Sequence, residues 1–224
     1  MKLKSGINLK FFAVVLFVMP LFGIVKAQPF INDILAFKKQ DSISFPPQQA
    51  ILFVGSSSFT KWTDVQLYFP AHPIINRGFG GSSLPDVIRY EKDIIFPYQP
   101  KQIIIYCGEN DIASSTTVSG TTVFERFKQL FTDIRKQFPK IPLVYISMKP
   151  SPSRWQMKDR MIAGNSLIKK YLLKQQKAKF ISVWKAMLGP DGQPLAHIFI
   201  ADKLHMNAKG YAIWQKLIAP HLLK

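Results

Sequence analysis

Four short blocks of this chain carry side chains suited to acyl-transfer chemistry. Asp202-Lys203-Leu204-His205 sets a carboxylate three residues before an imidazole, a compact way to orient a general base. Near the front, the apolar run 51–54 ends in Gly55-Ser56-Ser57-Ser58, and a hydroxyl just past a buried strand is well placed for nucleophilic attack. Asn76-Arg77-Gly78-Phe79-Gly80-Gly81-Ser82 brings Gly78, Gly80 and Gly81 close together, which lets backbone N–H groups approach a ligand. Gly108-Glu109-Asn110-Asp111 adds a neutral amide donor. Ester hydrolysis through serine needs this set: a hydroxyl, a base, a carboxylate to orient it, and donors for the oxyanion.

Taken singly, each block has a plainer reading. A serine-rich turn can cap a helix running toward Trp62, a glycine cluster can be a turn, and an asparagine in a loop is often a turn former. The serine block is not the Gly-x-Ser-x-Gly elbow, because residue 59 is Phe. His72 adjoins a proline, His197 enters an apolar run and His221 lies at the tail, so those three read as structural. Cys107 is the only cysteine and follows an apolar run; it reads as a buried thiol, and no intramolecular disulfide can form. The cysteine and histidines show no zinc spacing. Neither a metal nor a cofactor is expected.

The elements that must position these blocks follow from hydrophobic periodicity. Short β-rich runs at 50–54, 73–75, 102–106, 143–147 and 180–183 predict strands, most of them near-continuously apolar as buried parallel strands are. Helical spacing marks Val87 to Ile95, Phe124 to Ile134, Ile162 to Leu172 and Tyr211 to Ile218. Residues 30–38 predict a further helix that docks outside the core. Strands alternating with helices predict an α/β sandwich around a central parallel sheet of about five strands. In such sheets chemistry gathers at the carboxyl ends of strands, and three of the four blocks follow predicted strands.

At 224 residues and 47% hydrophobic content, the chain has room for one packed domain. Lys2, Lys4 and Lys10 precede an apolar run over 11–25 that closes in Val25-Lys26-Ala27. That pattern predicts a signal peptide over 1–27, cut before Gln28, and a single domain over 28–224. A secreted or periplasmic protein without a stable membrane anchor is the expectation. The formal charge of +17 stays strongly positive once the leader lysines are removed. Lys169, Lys170, Lys174 and Lys177 fall at helical spacing, as on a solvated helix face. No nucleic-acid motif with an aromatic platform appears, so no specific nucleic-acid partner is expected.

Taken together and in this order, the four blocks resemble the SGNH hydrolases, the GDSL-like lipase/acylhydrolase family, over nearly the whole chain after residue 50. The resemblance implies a flavodoxin-like three-layer α/β/α fold. It implies Ser57 as nucleophile within Gly55-Ser56-Ser57, with Asp202 and His205 completing the triad. It also implies an oxyanion hole from the N–H groups of Ser57 and Gly81 and the side chain of Asn110. Ser56 stands where the family has an aspartate.

The loop Lys149-Pro150-Ser151-Pro152-Ser153-Arg154-Trp155 follows the fourth predicted strand, so Arg154 and Trp155, together with Arg77, are candidate substrate-binding residues. A short acyl group, such as acetyl, on a carbohydrate is the expected substrate. A lysophospholipase or thioesterase activity is the alternative within the family. A non-catalytic protein that binds glycan or anionic polymer on the same fold is the alternative outside it.

Overall fold

The computed structural model describes residues 28–224; the expected signal peptide over 1–27 lies outside the described residues. Five strands, β1 (Ile51–Gly55), β2 (Ile74–Gly78), β3 (Gln102–Tyr106), β4 (Leu143–Ile146) and β5 (Ala178–Ile181), form one sheet in the order β2-β1-β3-β4-β5. Every neighbouring pair is parallel. Parallel neighbours cannot be joined by tight hairpins, so each connection crosses the sheet through helical segments. These are α1 (Ile31–Ile43), α2 (Ser57–Thr60), α3 (Val65–Tyr68), α4 (Leu84–Ile94), α5 (Glu109–Ser114), α6 (Gly120–Gln137), α7 (Lys158–Leu172) and α8 (Ala208–Ile218). This is the expected flavodoxin-like α/β/α sandwich.

The strands divide their side chains between two cores, because alternate residues point to opposite faces. Leu52, Val54, Ile103, Ile105, Leu143 and Tyr145 pack against α4, α6 and α7. Ile51, Phe53, Ile104, Tyr106, Val144 and Ile146 face Phe59, Trp62, Tyr211 and Trp214. Trp62 and Tyr211 stack with centroids 4.7 Å apart, which joins the segment after β1 to the last helix.

The expected elements are all present; β3 keeps its expected bounds and others are shifted. β2 continues past Ile75 through Asn76 and Arg77, because the ladder with β1 persists to Gly55↔Gly78. β5 ends at Ile181, and the Val183 N–H donates to Ser147 Oγ instead of extending the ladder. The phase of α7 also differs: Ile162, expected on the apolar face, is exposed, while Met161, Gly164 and Asn165 are buried.

Two corrections concern the first helix and Arg77. α1 was expected outside the core, yet Ile34 is 1% exposed and belongs to the larger core. Lys38 pairs with Asp93 at 2.6 Å, and Tyr90 Oη donates to Pro29 O at 2.6 Å. Arg77, expected to bind substrate, is buried under this helix. Its guanidinium pairs with Asp41, donates to Tyr98 Oη at 2.7 Å and lies between the rings of Phe37 and Tyr98. Arg77 is still on a strand, so its side chain enters the helical layer.

The strand order reverses around β1, which has β2 on one side and β3 on the other. The crevice beyond their carboxyl ends is where such sheets bind ligands. No helix among the described residues is long and apolar enough to cross a membrane.

The Arg77–Asp41 pair makes the docking of α1 testable. Removing one partner of a buried pair leaves an uncompensated charge and costs about 3–5 kcal/mol. Asp41→Ala should therefore lower the unfolding free energy by that order in urea denaturation; a loss below about 1 kcal/mol, the range of exposed pairs, would show that Arg77 does not need Asp41.

Candidate active site

The nucleophile candidate is placed by a turn that only glycine can make. Gly55 ends β1 at φ +144°, and a Cβ there would sit 1.9 Å from Tyr106 O. The chain leaves the sheet at once, with the Ser56 N–H donating to Tyr106 O at 3.0 Å. The three serines then meet different surroundings. Ser58 is buried, and its carbonyl accepts from Tyr211 Oη at 2.9 Å. Ser56 is extended and buried, whereas Ser57 opens α2 and remains half-buried. Ser57 is thus the most accessible hydroxyl of the run.

The loop after β2 folds back onto this turn. Phe79 N–H and Ser82 Oγ donate to Gly55 O at 2.9 and 3.2 Å. Gly81 has φ +85°, a conformation that glycine adopts without strain. Among the described residues, no backbone carbonyl takes the N–H of Ser57 or of Gly81.

Asn110, in the first turn of α5, ties these loops together. Its Nδ2 donates to Ser56 Oγ at 2.7 Å and to Ser82 O at 2.9 Å. Its Oδ1 accepts from Arg154 Nη2 at 2.7 Å, which fixes the direction of the amide. Arg154 therefore acts on a site residue and lines the pocket with Ser56, Ser57, Asn110 and Leu204. Trp155 does not line that pocket. It stacks on Trp184 with centroids 6.1 Å apart, and Lys158 Nζ lies 5.4 Å from its ring centroid.

The Asp202–His205 pair sits on a tight loop before α8. Asp202 Oδ1 accepts the N–H groups of Leu204 and His205, each at 2.9 Å, while Oδ2 lies 2.6 Å from His205 Nδ1. Burial acts to raise the Asp202 carboxyl, but the hydrogen bonds from the His205 ring and from the His205 and Leu204 N–H groups outweigh it. They leave its pKa at about 2. Asn207 caps α8 by accepting from Lys209 and Gly210 N–H. The loop is held to the rest of the site by Ser153 N–H, which donates to Lys203 O at 3.1 Å. His205 Nε2 is buried and has no hydrogen-bond partner among the described residues.

Beneath the site lies a charged cluster that the sequence reading did not identify. Lys149 Nζ lies 3.3 and 3.2 Å from the two carboxylate oxygens of Glu109, and Arg154 Nη1 is 3.5 Å from Oε2. Tyr106 Oη and the Lys149 N–H also donate to Glu109 Oε1. The side chains of Lys149 and Glu109 are only 2% and 6% exposed. Burial pushes the Lys149 ammonium pKa down, and the Glu109 charge opposes that shift. The backbone that presents Lys149 is set by buried Asn165, whose side chain bonds both Met148 N and Met148 O. The available signal was positional: Glu109 and Lys149 each stand just beyond an apolar strand.

Comparison with known proteins follows the same lines. A model of the GDSL-like lipase/acylhydrolase family matches residues 41–213. Among solved structures, a GDSL-like lipase from Bacteroides thetaiotaomicron superposes with a TM-score of 0.69 at 21% identity, covering 84% of this chain and 96% of that one. A carbohydrate esterase of family 3 from Talaromyces cellulolyticus gives 0.58 at 14% identity, covering 77% and 95%. A catalytic mutant of an acetylxylan esterase from Geobacillus stearothermophilus gives 0.61 at 12% identity, covering 77% and 93%. At these identities the likeness concerns the fold. No curated protein matches the chain in sequence.

The buried pair gives a test of how the floor of the site is built. Lys149→Met should cost about 3–5 kcal/mol in chemical denaturation, because Glu109 is left charged away from water. Adding Glu109→Gln should recover most of that loss. A double variant less stable than the single would show that the two residues do not act as a pair.

Proposed function

Because the chain belongs to the GDSL-like lipase/acylhydrolase family and is an ester hydrolase, we propose that Ser57, His205 and Asp202 carry the reaction through an acyl-enzyme. His205 Nε2 takes the Ser57 proton as Oγ attacks the ester carbon. Asp202 holds the Nδ1–H and balances the imidazolium that forms. The N–H groups of Ser57 and Gly81 and the Asn110 side chain receive the oxyanion. Collapse expels the alcohol, which takes the proton from His205, and water then repeats the sequence on the acyl-enzyme with His205 again as base.

One observation carries this reading. His205 has one ring nitrogen held by Asp202 and the other buried without a partner among the described residues, and its neighbour Leu204 lines the same pocket as Ser57, the open hydroxyl. A buried polar atom left unpaired is costly, and the Ser57 hydroxyl and a bound substrate's leaving group are the partners that chemistry would supply.

For the substrate, we propose a short acyl group, acetyl above all, on a carbohydrate. The pocket at Ser57 is lined mostly by polar side chains, among them Ser56, Asn110, Lys149 and Arg154, and so offers little apolar wall to a long acyl chain. The carbohydrate and acetylxylan esterases among the structural neighbours fit the same view. The basic, then apolar, stretch over 1–27 supports export from the cell, with cleavage before Gln28.

Ser57→Ala should abolish hydrolysis of p-nitrophenyl acetate, and Asp202→Asn should lower kcat on the order of 10⁴-fold. An inactive wild type, or an active Ser57→Ala, would overturn the assignment. Among acetylated sugars, lysophospholipids and acyl thioesters, acetylated sugars should give the highest kcat/KM.

The pH profile adds a separate test. The Asp202 pKa of about 2 lies below the ordinary carboxylate value of about 3.9. Its charge is therefore retained in the folded protein until pH falls through about 2, whereas the stability that charge contributes is complete only above the unfolded value of about 3.9 and is lost progressively as pH falls from there through about 2. Asp202 should therefore contribute no limb of its own to the activity profile above about pH 3. A two-proton acid limb above about pH 3, where the depressed carboxyl is still charged, would show that Asp202 titrates in the working range.

A further inference from the structure

The mechanism leaves the Ser56 hydroxyl without a task. Ser56 lines the same pocket as Ser57 and is 5% exposed. Its Oγ accepts from Asn110 Nδ2 at 2.7 Å. A hydroxyl has one hydrogen to give and two lone pairs. Asn110 uses a lone pair, and no acceptor among the described residues takes the Ser56 hydrogen. Both hydrogens of the Asn110 amide are engaged, one by Ser56 Oγ and the other by Ser82 O at 2.9 Å. Asn110 can reach an oxyanion directly only by weakening one of these bonds, whereas Ser56 has a hydrogen with no other use.

We propose that the Ser56 hydroxyl is a further oxyanion donor, and that Arg154 and Asn110 polarise it. The series starts at a full charge. Arg154 Nη2 donates to Asn110 Oδ1 at 2.7 Å, a charge-assisted bond that makes the amide N–H a stronger donor. The Asn110 bond to Ser56 Oγ in turn makes the Ser56 O–H a stronger donor, because hydrogen bonds in series reinforce one another. Glu109 steadies Arg154 from beneath. Arg154 is thus a positioning residue that acts through Asn110, and Ser56 is a catalytic one. An aspartate in place of Ser56 could only accept when ionised, and would set a negative charge beside the one that develops.

No bond is made or broken at Ser56. As the Ser57 Oγ–carbon bond forms, the carbonyl π pair moves onto oxygen and the Ser57 proton passes to His205 Nε2. The Ser56 O–H donates a hydrogen bond to that oxygen and keeps its proton.

The inference rests on Ser57 as nucleophile, so Ser57→Ala is measured alongside. If that variant keeps wild-type activity, the reading of the site fails; the Ser56 variants report on the relay alone. Ser56→Ala should lower kcat on the order of 10²-fold, the loss typical of one oxyanion donor, with KM changed by less than about twofold. Affinity for a boronic acid, which forms a tetrahedral adduct on Ser57, should fall with kcat. Ser56→Thr keeps a hydroxyl and should restore most of both. Arg154→Met should lower kcat by roughly tenfold, the worth of one charge-assisted bond, again at nearly constant KM. An unchanged or faster Ser56→Ala would overturn the proposal, since Ser56 would then only compete for the Asn110 hydrogen. A Ser56→Thr as slow as Ser56→Ala would overturn it too. If Ser56→Ala does not fold, Arg154→Met decides: unchanged kcat and boronic acid affinity would sink the relay.

Discussion

The side chain of Asn110 is the joint on which the catalytic end of this molecule depends. It donates toward the turn after β1 and the loop after β2, and it accepts from the loop after β4. These segments are far apart in sequence. A planar amide with two hydrogens and two lone pairs holds them in a single arrangement. The joint works only because the first turn is so tight. A side chain at Gly55 would collide with the Tyr106 carbonyl and push β1 away from β3.

Below the joint, the buried charges of Glu109, Lys149 and Arg154 make a floor for which apolar packing would be a poor substitute. Two ions taken out of water cost several kcal/mol each, and their attraction returns that cost only when the geometry is good and the remaining lone pairs are filled. Here Tyr106 and the Lys149 backbone N–H fill them. The result fixes the ends of β3 and β4 relative to each other. It also holds the guanidinium that orients Asn110. A pair of leucines could fill the space, but could not aim an amide.

How far the sequence was legible follows from the range of each signal. β1, β3 and β4 lie in the sheet interior, covered on both faces, and their apolar runs nearly match the observed strands. β2 and β5 are the edge strands and mix polar residues into the ladder, as at Asn76, Arg77 and Lys179, so their bounds were displaced. Asp202 and His205 could be read together because the pair is local. Glu109 and Lys149 could not, because they meet across 40 residues and no periodicity marks such a contact. Arg77 was misplaced for a related reason. A glycine-rich neighbourhood suggested a loop, but parallel pairing carries the strand three residues beyond the last isoleucine, to Gly78. The distinction among Ser56, Ser57 and Ser58 came from the resemblance; in the structure it corresponds to one residue in extended backbone, one at a helix start and one turned into the core.

The bond from Tyr211 Oη to Ser58 O, with the Trp62–Tyr211 stack beside it, has a consequence for the order of assembly during synthesis. The front strand and its serine turn leave the ribosome early, but the aromatic wall that supports them belongs to the final helix. A growing chain that lacks α8 has neither this wall nor a settled seat for the loop carrying His205. The seat of the serine turn is therefore completed only when the last helix has been made.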